Sequence, residues 1–323
     1  MFPESRVVPI NCPQDYDVSM SQSTSQPQPL PSILRDKAVV VLGAGKVGSA
    51  VAVLLHDAGL AVAAVTTRHP DTARFAASRT GAKPGTDNAA AAAQGDIVLV
   101  TTNDDTIASV VAEVAQAGAW RAGQLVMHMS GALPLSVLAP AVSAGAAIGS
   151  AHPLQSFASA QDALRTIRGS VFGVTSWPGA REMLEALVGV LGGQVVDVAD
   201  ENKALYHAAA VMASNYLVAV EDMAVHLLVS AGFDETSALK ALQPLVSGTA
   251  ENVRALGTTD ALTGPIVRGD VDTIRGHVEA LRGLGDEELE LYRALGRQTL
   301  KIALRRGTLD AATTDQLRGL LAE

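Results

Sequence analysis

Ser130 and His152 stand 22 residues apart, each closing an apolar run, in QLVMHMSGAL and AAIGSAHPLQSF. A histidine titrates near neutrality and can accept or donate a proton while a hydride moves. Ser130, followed by Gly131, can hydrogen-bond a substrate or cap its own turn; His128, two residues earlier, reads as structural. A second group lies in ENKALYHAAAVMASNYLVAVEDM, residues 201–223. At about 100° per residue, Lys203, His207 and Ser214 fall within roughly 40° of one another, with Asn215 at the margin of that face. An ammonium there would polarise a carbonyl and protonate an alkoxide as hydride arrives. The alternatives are that Lys203 reaches solvent beside Asp200 and Glu201 and that His207 is a satisfied core histidine.

A third group is built for phosphate. Gly43-Ala44-Gly45-Lys46-Val47-Gly48 is a GxGxxG set directly between an apolar strand and an amphipathic helix, the context such a loop requires. Gly43 permits the tight turn, Gly45 lets the backbone approach a pyrophosphate, and Gly48 lets strand and helix pack closely. The helix N-terminus adds amides and a positive dipole. An NAD site usually has an acid about 20 residues on. Here the second strand ends in Thr66-Thr67-Arg68-His69, where a hydroxyl and a guanidinium suit a 2′-phosphate, so NADP(H) is expected. Thr101-Thr102-Asn103 follow another strand and are expected to line the cofactor. Asp104 and Asp105 read as the N-cap of the next helix. Farther on, TGPIVRGD offers Thr263 and Arg268 as a substrate loop, with Asp270 placed to cap a helix.

These groups need strands to carry them. Strands are predicted at 38–42, 61–67, 96–102, 124–130, 146–152, 170–176 and 194–200, with helical patterns between. That alternation predicts an α/β fold, a doubly wound Rossmann-type parallel sheet, followed by an all-helical C-terminal domain. The domains are read as a disordered segment over 1–34, rich in Ser, Gln and Pro; an NADP-binding domain over 35–198; and a helical substrate and dimerisation domain over 199–323. Met20 is an alternative start.

Composition excludes several classes. The 323 residues carry a net charge of −9 and no basic stripe, which argues against a nucleic-acid partner. One cysteine, Cys12, excludes an internal disulfide, and seven scattered histidines give no metal-ligand spacing. Ala204–Val220 contains His, Ser and Asn and is shorter than the about 20 apolar residues of a membrane span. With no basic start and apolar core at the N-terminus, a cytoplasmic protein with no membrane partner is expected.

GAGKVG, HMSGALPLSVL, SAHPLQSFA, NKALYHAAAVMASNYL and ALTGPIVRGD occur in one order from about residue 38 to the end. Together they resemble a family of NADP-dependent oxidoreductases whose C-terminal half is a domain of unknown function. The wider superfamily includes prephenate dehydrogenase, ketopantoate reductase, pyrroline-5-carboxylate reductase and 3-hydroxyacid dehydrogenases. The resemblance implies a helical second domain like that of 6-phosphogluconate dehydrogenase, a homodimer through C-terminal helices such as ELELYRALGRQTLKIALRRG, and substrate contacts at Ser130 and His152. It also matches Lys203 to a lysine of ketopantoate reductases, with Asn215 three turns on, although His207 stands where those enzymes often have asparagine. The expected activity is hydride transfer between NADP(H) and a small carboxylated carbonyl such as a ketopantoate-like 2-oxo acid. The alternatives are a non-catalytic NADP(H) sensor and a prephenate-type or imine dehydrogenase.

Overall fold

The computed structural model describes residues 29–68 and 70–322. Met20, Cys12 and His69 lie outside them, as does most of the expected lead-in. Its last residues do not behave as a lead-in: Ser32–Leu34 form a short 3-10 turn, and Leu34 is fully buried in the core. An apolar Leu-Ile-Leu spacing at 30, 33 and 34 gives that turn something to bury.

Two compact units divide at Ala209 and Ala210, later than the boundary expected after residue 198. In the first, eight strands form one sheet: β1 Ala38–Leu42, β2 Ala61–Thr66, β3 Lys83–Gly85, β4 Ile97–Val100, β5 Leu125–His128, β6 Ala147–Pro153, β7 Val171–Ser176 and β8 Gln194–Asp197. Their order is β3-β2-β1-β4-β5-β6-β7-β8. All neighbours are parallel except β6 and β7, which pair antiparallel with His152 opposite Gly173. Valine, isoleucine and leucine fill the central strands because both faces are covered; every residue of β4 and β5 is buried. β3 was not predicted: three exposed residues containing a proline make an edge strand with almost no apolar signal.

The helices of this unit are α1 Lys46–Asp57, α2 Pro70–Thr80, α3 Asn88–Ala92, α4 Asp104–Gln116, α5 Ala139–Val142, α6 Ala160–Thr166, α7 Arg181–Val190 and α8 Lys203–Ala213, which runs on past the unit boundary. The first seven cover the two faces of the sheet as two separate apolar layers. From β1 the chain proceeds outward to β2 and β3, then returns to β4 on the other side. The carboxyl ends of β1 and β4 therefore flank a topological switch point, the crevice where open α/β sheets bind ligands.

The second unit holds α9 Asn215–Ser230, α10 Glu235–Ala261, α11 Pro265–Arg268, α12 Val271–Arg282, α13 Asp286–Arg305 and α14 Ala311–Leu320. Residues 201–223 are not one helix: Ser214, at φ −125° and ψ −73°, separates α8 from α9. The single-helix projection holds for Lys203 and His207 but not across that break. The stretch Asp200–Ser230 has a window of mean hydropathy 1.3 and by length and composition alone could cross a membrane. The apolar stripe of α13 is used within its own unit, where Leu300 and Ala303 pack with Ile266, Ile274, Leu317 and Leu321.

Candidate active site

The glycine loop takes the shape its sequence demands. Gly43 has φ +102°, and a Cβ there would lie 2.5 Å from the Thr102 amide nitrogen. Its carbonyl accepts from the Thr101 hydroxyl at 2.8 Å, which ties the end of β1 to the end of β4. A Cβ on Gly48 would collide with that same Gly43 carbonyl and Thr101 hydroxyl. Gly45, the N-cap of α1, is different: nothing lies within 4 Å of where its Cβ would be. The space over the helix N-terminus is open, and the amides there have no helical carbonyl to bond.

Two cavities meet at this loop. One, of about 430 Å³, runs from Gly43 and Gly45 past Thr67, Arg68 and Thr86 to Thr106 and Ser109. The other, of about 710 Å³, runs from Gly45 and Lys46 past Asp104, Ser130 and His152 to Phe157. Thr101, Thr102 and Asn103 line both, as expected. Thr102 Oγ1 is buried in this shared wall without a hydrogen-bond partner, a donor awaiting an acceptor. An open helix N-terminus, an unpartnered hydroxyl and an exposed Arg68 that pairs with no described residue are what a phosphorylated dinucleotide needs, so the residues fit that group.

At the far end of the larger cavity stands a cluster of titratable groups. His152 Nδ1 lies 3.0 Å from the Tyr206 hydroxyl, with the rings edge-on at 5.6 Å. The His207 ring is 6.0 Å from His152. Burial drives His152 down to about 4, with the neighbouring His207 and Lys203 adding to the shift and Asp104 opposing it. His152 is therefore neutral at pH 7. His128 is fully buried and pushed to about 3, chiefly by burial and then by Lys203. Its Nδ1 accepts from the Ser130 amide at 3.2 Å, so the proton sits on Nε2. That structural role is the one expected for it.

Two sections of the sequence match known domain families. Residues 26–153 match the Rossmann-like domain, and residues 170–299 match DUF2520, a domain of unknown function. The two matches follow one another along the chain, the Rossmann-like one first. Among solved structures, it is similar to a Bacteroides fragilis protein assigned as an NADP oxidoreductase, at 25% identity and TM-score 0.68 over 82% of this chain and 98% of that one. A Thermotoga maritima protein is 22% identical, with TM-score 0.66 over 83% and 99%. An Aspergillus terreus reductive aminase, in complex with NADPH and ethyl-5-oxohexanoate, is 18% identical, with TM-score 0.60 over 86% and 98%. A search of curated protein sequences finds no match.

The first residues of the DUF2520 helix α8 depart from expectation. Lys203 is 2% exposed, so it neither reaches solvent nor lines the large cavity. Its ammonium donates to Ser150 Oγ at 2.8 Å and to the Ser130 carbonyl at 3.3 Å, bridging β6 to the end of β5. Burial lowers its pKa, while Asp200 and Asp104 raise it. Ser130 is equally committed: Oγ donates to Asp104 at 2.7 Å and accepts from the amides of Ala132 and Leu133. Asp104 is thus no N-cap; Asn103 occupies that position, and the Asp104 carboxylate turns to the strand end beside it.

Gly131 owes its place to packing, because a Cβ there would sit 2.9 Å from both His152 and His207. Asn215 is exposed at the start of α9. In the DUF2520 region, Asp270 caps α12 through the Thr273 amide, as expected. Thr263 and Arg268 are exposed in the second unit, and their substrate role remains an expectation. Sequence reasoning missed Tyr206 and Asp104. Tyr206 lies one turn from Lys203 on α8, and its hydroxyl was the available signal.

Proposed function

We propose that this chain is an NADP(H)-dependent oxidoreductase acting on a small carbonyl or imine compound. The observation that carries this reading is the pair of cavities joined at Gly45, one leading to Arg68 and the other to His152. The nucleotide would rest its phosphates on the α1 N-terminus, with Arg68 and Thr67 toward the 2′-phosphate and His152 beside the nicotinamide. When bound, NADPH supplies the hydride. The protein's own part is to orient the acceptor, exclude water and hold a proton at His152. Sheet gives way to helix after β8, and α8 sets Tyr206 and His207 against His152.

The 2-oxo-acid version of this reading relied on a Lys203 ammonium at the reacting atoms, and that ammonium is engaged by Ser130 and Ser150. A carboxylate, Asp104, lines the cavity instead. This favours an imine, whose protonated form is cationic, and the Aspergillus terreus neighbour is a reductive aminase. Thermal shift with NADPH and NADH tests the cofactor. NADPH should stabilise the chain at concentrations where NADH does not, and Arg68→Ala should weaken NADPH binding about tenfold or more, the loss of one charged hydrogen-bond partner. Equal affinity for both nucleotides overturns the NADP assignment. NADPH oxidation across cyclic imines, 2-oxo acids, ketopantoate and aldehydes then defines the substrate; binding without turnover on any of them would favour the sensor.

The functional form is a homodimer, and its surface is the end of α8 with α9 and α10 rather than α13. Met212, Tyr216, Leu217, Val218, Leu245 and Leu256 are each 46–67% exposed in the second unit. A stable interface takes about 800 Å² from each partner, and large exposed apolar side chains of this kind are what such an interface covers. A second copy satisfies such a face isologously. Sedimentation without detergent should give twice the chain mass. A monomer that instead floats with phosphatidylcholine vesicles rules out this occupant.

A further inference from the structure

The His152–Tyr206 contact is built with care for space. His152 pairs with Gly173 across the antiparallel β6–β7 junction. A Cβ on Gly173 would fall 2.6 Å from Tyr206 Cζ and its hydroxyl oxygen. A Cβ on Gly131 would fall 2.9 Å from His152 Cε1 and Nδ1 on the other side. One position within β7 and one just past β5 therefore lack side chains where the phenol and the imidazole meet. The contact joins the section that matches the Rossmann-like domain to the section that matches DUF2520.

We propose that Tyr206 is a positioning residue that sets the tautomer of His152: the phenol donates to Nδ1, the ring proton is held on Nε2, and that N–H is the donor offered to the substrate. The phenol has the proton to give, because burial raises its pKa and outweighs the opposing effect of the Gly173 backbone. A neutral imidazole accepts on one nitrogen and donates from the other, so the Tyr206 bond determines which nitrogen is which. Among the described residues, the ring's hydrogen bond is to Tyr206 alone, which leaves Nε2 for a ligand. The Nε2 proton passes to a carbonyl oxygen as it gains negative character, or to the nitrogen of an imine that arrives neutral, and Nδ1 takes the phenol proton in the same event. The Nδ1 proton then returns to the phenolate while Nε2 takes one proton from solvent, which restores the resting tautomer and closes the balance. His207, Lys203 and Asp104 surround the ring, and none of them is bonded to its nitrogens.

This inference rests on the oxidoreductase reading for its chemistry, but the tautomer can be measured without turnover. Long-range proton–nitrogen spectra of the full chain, labelled with ¹⁵N-histidine, should show His152 with a protonated Nε2 and a bare Nδ1 near pH 7. In Tyr206→Phe the two tautomers should mix, while the NADPH thermal shift stays as in the wild type. With any imine or carbonyl that the wild type reduces, Tyr206→Phe should lower kcat at least tenfold and leave the NADPH KM unchanged. Gly173→Ala, which displaces the phenol without removing it, should reproduce the spectral change if Tyr206→Phe fails to fold. A wild-type His152 protonated on Nδ1, or a Tyr206→Phe spectrum and kcat matching the wild type, overturns the proposal. Failure of the oxidoreductase reading has its own signature, no thermal shift with NADPH, and the spectra still decide the tautomer.

Discussion

Gly45→Ala is expected to leave thermal unfolding almost unchanged while weakening NADPH binding at least a hundredfold. Gly45 has φ −79° and ψ −155°, extended backbone that alanine adopts without strain, and no atom lies within 4 Å of the added methyl. The methyl would occupy only the space over the α1 N-terminus, where a pyrophosphate must come close to backbone amides. A hundredfold loss corresponds to about 2.7 kcal/mol, reasonable for phosphate oxygens moved out of reach of those amides. Gly43→Ala makes the contrast. Its Cβ meets the Thr102 amide nitrogen at 2.5 Å in a residue with φ +102°, so both the fold and the affinity should suffer. Titration calorimetry beside a melting curve separates the two variants. A Gly45→Ala chain that binds NADPH like the wild type would remove the phosphate cradle from this loop.

Lys203→Ala should be among the most destabilising substitutions in the chain, costing about 3–5 kcal/mol. It empties a buried volume, leaves the Ser130 carbonyl and Ser150 Oγ without their donor, and takes the nearby cation away from Asp104 and Asp200. Lys203→Met keeps most of the volume and should cost about 1–3 kcal/mol, the penalty of the unmet polar partners. Urea unfolding of the three chains gives the ordering directly. Had Lys203 instead flanked the hydride, Lys203→Met would unfold like the wild type and fail only in turnover. That result would return the residue to the chemistry and contradict its burial.

Much of this was open to a reading of one sequence. Seven of the eight strands, the glycine loop at the end of β1 and the switch to helices after β8 follow from local pattern: apolar runs, glycine spacing and periodicity report on neighbours within a few residues. The Rossmann-type fold is the fold of the structural neighbours, and the NADP class first read from Thr67 and Arg68 is the class named for two of them. The nominated residues divide by what tertiary contact did with them. His152 and Ser130 both line the cavity, but the Ser130 hydroxyl is engaged by Asp104 and two turn amides, and Lys203, just as reactive in type, is buried bridging strands. A side chain's chemistry is written in its formula, but its availability depends on partners 26, 53 or 73 residues away. No local spacing encodes those distances. For the same reason Tyr206 passed as one more aromatic on an apolar helix until Gly173, 33 residues earlier on a sheet strand, left room for it to reach His152.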